Sequence, residues 1–100
     1  MTRRIALSVN DEPIELDYFV QSFIDHTTGG MVEALEGTGT IKTLDISIAA
    51  GEVTLTVNGV LVPMNAFVSK IVMNTISGMI SPLKGVGDIS QLNISIERTG

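Results

Sequence analysis

His26 is the only histidine in the chain, with Ser22 one helical turn before it and Glu33 two turns after it. A nucleophile, a base and an orienting acid in one stretch would be the material for acyl transfer, provided base and acid come within direct hydrogen-bond reach. Along a helix, however, the seven residues from His26 to Glu33 span roughly 10 Å, so the three cannot act as a unit. A second cluster, Asp11, Glu12, Glu15 and Asp17, has the oxygen chemistry that a hard cation such as Ca²⁺ requires, but not the EF-hand spacing. It reads as an acidic rim, with Asp17 serving as a helix cap. Gly37-Thr38-Gly39 and Gly85-Val86-Gly87 resemble phosphate-cradling loops, yet each follows an expected helix, so no helix N-terminus would point at an anion. Asn93-Ile94-Ser95 fits a glycosylation sequon but falls inside an expected strand. With one histidine and no cysteine, nitrogen or sulfur metal sites have no ligands. The expectation is therefore no metal and no cofactor, and the balance lies against an enzyme.

Composition narrows the class further. The 100 residues suit one compact unit or two very small ones, and at 44% hydrophobic and 17% charged they are neither a disordered chain nor a coiled coil. The net charge of −5 argues against nucleic acid, whose phosphates need a basic footprint. No apolar run is long enough to span a bilayer, and the start, Met1-Thr2-Arg3-Arg4, has no signal-peptide character. Together with the lack of cysteine this points to the cytoplasm.

The elements that must position these residues are written twice. Shifted by 48 positions, Arg4–Ala49 aligns without a gap on Glu52–Glu97, and 16 of the 46 pairs are identical. Among them are Asn10/Asn58, Phe19/Phe67, Thr27/Thr75, Gly30/Gly78 and Ile46/Ile94. Each copy opens with a strand of period two (Ile5, Leu7, Val9; Val53, Leu55, Val57) and a tight turn at Asn10-Asp11 or Asn58-Gly59. A second strand, Glu12–Leu16 or Val60–Met64, contains Pro13 or Pro63 and belongs at a sheet edge. Asp17 and Asn65 cap helices that run towards Gly37 and Gly85, with Pro82 placed to end the second one early. Leu44, Ile46, Ile48 and Leu92, Ile94, Ile96 supply the last strands, and Ala49–Glu52 is short enough to be a hairpin between the copies. The expected fold is α+β: two tandem ββαβ repeats, residues 4–49 and 52–97, forming one pseudo-two-fold domain over 1–100. A mostly antiparallel sheet would carry both helices on one face, its strand order left open.

The copies differ in charge. Residues 1–48 carry all of the net −5, whereas residues 49–100 are neutral. Helical projection assigns Phe19, Val20, Phe23, Thr27, Gly30, Met31 and Ala34 to the inner side of the first helix, and Tyr18, Gln21, Asp25, Gly29, Val32 and Glu36 to the outer side. By the same assignment Met73, Ile76 and Ile80 form an apolar stripe on the outer side of the second helix. Gly30 and Gly78 then serve close approach inside the fold. The sheet's far face collects Ala6, Ser8, Ser47, Thr54, Thr56, Asn93 and Ser95, a wet surface and a second place for stacking.

The function these features favour is a non-catalytic protein-interaction or assembly module, a homo-oligomer or the binder of a protein partner, with Met73, Ile76 and Ile80 as the interface. The alternative is a small-molecule-binding domain with an apolar pocket between the helices or at the pseudo-two-fold axis, its polar groups drawn from His26, Thr27, Asn74 and Thr75. The absence of a Lys/Arg-rich polar helix face weighs against membrane-surface binding.

Overall fold

A computed structural model describes residues 2–36 and 40–99. Along the chain run β1 (Thr2–Val9), β2 (Glu12–Pro13), α1 (Tyr18–Glu36), β3 (Thr43–Ala49), β4 (Glu52–Val57), β5 (Val60–Leu61), α2 (Ala66–Ile80) and β6 (Gln91–Thr99). All strand pairs are antiparallel, in one six-stranded sheet of order β2-β1-β6-β3-β4-β5, so the fold is α+β. The final strand crosses back to the centre: β6 lies between β1 and β3, with Leu7 opposite Ile94 and Ile94 opposite Ile46. Each half of the sheet thus joins a hairpin from one half of the chain to the terminal strand of the other.

Three tight turns close the hairpins, each with two successive residues at positive φ: Asn10 and Asp11, Ala50 and Gly51, Asn58 and Gly59. This left-handed pair is the one whose twist matches that of the flanking strands. Ala49 pairs with Glu52, so the link between β3 and β4 is the expected hairpin. The edge strands β2 and β5 are shorter than Glu12–Leu16 and Val60–Met64. Ile14 N–H still bonds to Leu7 O and Val62 N–H to Leu55 O, after which the chain leaves the sheet for the helix caps. Asp17 Oδ1 accepts from Val20 N–H and Asn65 Oδ1 from Val68 N–H, at 2.8 Å in both cases. Ahead of Pro82, α2 ends at Ile80, short of Gly85, which takes a left-handed φ of 88° in the following turn. Gly37-Thr38-Gly39, the expected end of α1, lies outside the described residues.

One apolar cluster joins sheet and helices. Leu7, Val9, Leu44, Ile46, Ile48, Leu55, Leu92, Ile94 and Ile96 of the strands are buried against Ile24 and Val32 of α1 and Val72, Ile76 and Ile80 of α2. The alternate strand residues Ala6, Asp45, Thr54, Asn93 and Ser95 are exposed on the far face, so both helices cover the same side of the sheet. The extents of 34 × 34 × 18 Å are those of two layers.

The helices are rotated relative to the projected faces. In α1 the buried positions are Ile24, Asp25, Thr28, Gly29 and Val32, while Phe19, Phe23, Gly30 and Ala34 are exposed. Ile76 and Ile80, expected at an interface, are fully buried, and Met73 is half-buried against the same core. Two facts produce the reversal. Both helices are apolar on more than one side, so periodicity alone leaves two solutions. Asp25, outward by projection, is buried because Arg3 and Arg98 bond both of its carboxylate oxygens.

Candidate functional site

Among the described residues, Asp25 is the one buried charged residue. Arg3 Nη1 donates to its Oδ2 at 2.8 Å and Arg98 Nε to its Oδ1 at 2.9 Å, while Arg98 Nη2 also reaches the Asp25 carbonyl at 3.2 Å. Arg3 and Arg98 face each other across β1 and β6, and so converge on one point of α1. Gly29 makes room for them, since a Cβ there would stand 2.5 Å from Arg98 Nη2. With both oxygens held by guanidinium groups, the carboxylate is engaged as an anchor between α1 and the sheet. At the positions 48 residues away stand Met73, Gly51 and Ala50, so this cluster belongs to the first helix alone.

Elsewhere positions 48 apart make the same bonds. Asn58 Oδ1 accepts from Lys42 N–H and Thr43 N–H, and its Nδ2 donates to Thr40 O. Asn10 Oδ1 accepts from Ser90 N–H and Gln91 N–H, and its Nδ2 donates to Asp88 O. Each asparagine therefore fastens its own hairpin turn to the segment leading into the other half's last strand.

The outer face of the helix layer carries the largest exposed apolar side chains of the helices. On α1 these are Phe19 at 71% exposure and Phe23 at 50%, with their rings tilted at 44° and 6.1 Å apart. On α2 they are Phe67 at 70% and Ile71 at 47%. Phe19 and Phe67 are 48 positions apart, as are Phe23 and Ile71, so the two helices present the same stripe. Gly30 and Gly78 are exposed on the helices as well, and a Cβ at either would meet nothing within 4 Å. Each costs its helix about 1 kcal/mol relative to alanine. The inward close approach expected of them is therefore not what holds glycine there.

Other sequence candidates are scattered. His26 and Glu33 are exposed and Ser22 half-buried. Asp11, Glu12, Glu15 and Asp17 are all at the surface, and no three acidic, histidine or cysteine side chains gather as metal ligands among the described residues. His26, Asn74 and Thr75 are exposed and Thr27 is half-buried, so this quartet lines the outside of the helix layer and does not enclose an interior pocket. Among the described residues, no helix is long and apolar enough to cross a membrane. The signal that could have located the surface was present in the sequence: one apolar pair, Phe19/Phe67, with a glycine eleven residues further on in both helices. No protein-family model, curated protein or solved structure matches the chain.

Proposed function

We propose that the chain is a non-catalytic assembly module: two fused ββαβ repeats arranged about a pseudo-two-fold axis, self-associating through the outer face of the helix layer. The observation that carries the self-association is the repetition of exposed Phe19 and Phe23 at Phe67 and Ile71. Isolated exposed apolar residues are ordinary, but a stripe repeated on neighbouring helices marks an interaction surface. A patch with its own two-fold repetition also suits a second copy, because a two-fold dimer brings the same surface to both sides. The broad side of the molecule, 34 × 34 Å in extent, is large enough to hold the ~800 Å² per partner of an ordinary stable interface.

The repeat reading draws support from the strand order, which is unchanged when β1, β2 and β3 are exchanged with β4, β5 and β6. The matching bonds of Asn10 and Asn58 and of Asp17 and Asn65 point the same way. In this reading the chain is a covalent form of a strand-exchanged dimer of one ββαβ unit, since one such unit has too small a core of its own.

Sedimentation equilibrium of the pure protein tests the proposal. A dimer or larger closed species is expected at micromolar concentration, and the double variant Phe19→Asp/Phe67→Asp should shift it to monomer while leaving unfolding by urea nearly unchanged. A wild-type chain that stays monomeric at high micromolar concentration would remove the self-association.

A further inference from the structure

Gly30 and Gly78 have no purpose within the chain. Neither adopts a positive φ, unlike Gly51, Gly59 and Gly85, and neither abuts another residue as Gly29 abuts Arg98. Both nevertheless lie on helices whose most exposed large apolar side chains include Phe19 and Phe67.

The spacing relates these two features. From Phe19 to Gly30, and from Phe67 to Gly78, is eleven residues, which on an α-helix is about three turns, roughly 16 Å of rise and a rotation of only about 20°. Each helix thus bears an aromatic knob near its start and, about three turns on and in the same line, a bare notch. Two such helices packed antiparallel bring the knob of each over the notch of the other. We infer that the helix layer docks on the helix layer of a second copy by this exchange. Phe19 of one chain seats over Gly78 of the other, and Phe67 of the second seats over Gly30 of the first. This rests on the self-association proposed above and names its register.

Charge selects α1 against α2 over α1 against α1. Among the described exposed helix positions α1 carries the acidic Glu33 and α2 the basic Lys70, so like-on-like docking would set helices of the same sign together, whereas crossed docking sets helices of opposite sign together. The outer positions of α2 include Lys70, where α1 has Ser22, and those of α1 include Glu33, where α2 is followed by Ser81. Glycine at the notch lets the aromatic ring reach the helix backbone, which is how small residues bring helices close.

The test fills the notches. Gly30→Gln/Gly78→Gln adds side chains into open space without adding apolar surface, and should leave the monomer folded with an unchanged or raised Tm, because glutamine is the better helix former. The dimer Kd, read by sedimentation equilibrium, should rise about a hundredfold if each ring is displaced from its notch. An unchanged Kd in this variant, with the dimer still lost in Phe19→Asp/Phe67→Asp, would overturn the knob-and-notch register and leave self-association standing. A wild-type monomer would overturn both. Should the glutamine pair fail to fold, Gly30→Ala/Gly78→Ala carries the test, with about a tenfold rise in Kd expected from one methyl in each notch and no rise overturning the register.

Discussion

At the scale of single residues, Asp25 shows how a charge comes to sit in the core layer. Its carboxylate is bonded on both oxygens, to Arg3 and to Arg98, and each arginine keeps about a quarter of its side chain in solvent. Asp25→Ala strands two guanidinium groups on the buried side of α1 and is expected to cost about 2 kcal/mol, below the 3–5 kcal/mol of a fully buried pair because the arginines can turn towards water. A double-mutant cycle of Asp25→Ala with Arg98→Ala should give a coupling of about 1 kcal/mol or more in urea unfolding. Additive losses would mean that the contact contributes nothing of its own. Ile76 belongs to the same scale. Fully buried, it should lose about 2–5 kcal/mol as Ile76→Ala, whereas Phe67→Ala on the opposite side of α2 should barely alter monomer unfolding.

Elements are held by a different kind of bond. The Asn10 and Asn58 side chains act as clasps, each accepting two backbone N–H groups and donating to one carbonyl across the junction between the halves. Both residues also hold a left-handed φ, near 53° and 51°, which asparagine tolerates better than most residues. Asn58→Gly removes the clasp but keeps the turn, and should cost about 1 kcal/mol. Asn58→Ala adds left-handed strain and should cost roughly 1 kcal/mol more. The same two substitutions at Asn10 should give the same pair of values, measured by urea denaturation. A difference of more than about 1 kcal/mol between the sites would show that the clasps are not equivalent in energy, whatever their geometry.

Across the whole molecule, strand exchange ties the fate of one half to the other. Because β6 pairs with both β1 and β3, neither half retains a complete sheet when the other melts. Thermal unfolding should therefore be one transition, with calorimetric and van't Hoff enthalpies equal. Leu7→Ala in β1 and Leu55→Ala in β4 should lower the Tm of that single transition. Two resolved transitions in either variant would contradict the coupling.

What the sequence determined by itself is the set of parts. Left-handed turn signals, N-cap residues and period-two strands are local, and each acts through neighbours in the chain. They specify the three hairpin turns, both caps, the edge position of the proline-bearing strands and the central apolar rows. Tertiary structure alone decided the order of the strands and which side of each helix faces the sheet. Burying the Ile24 side of α1 requires Asp25 to find Arg3 at 22 residues' distance and Arg98 at 73, pairings that no local pattern announces. With the Ile24 side of α1 and the Val72 side of α2 packed on the sheet, the phenylalanines and glycines that projection had placed inside become the outer surface. The candidate site is thus composed of residues the sequence displays plainly, on a face that only long-range electrostatics and packing could choose.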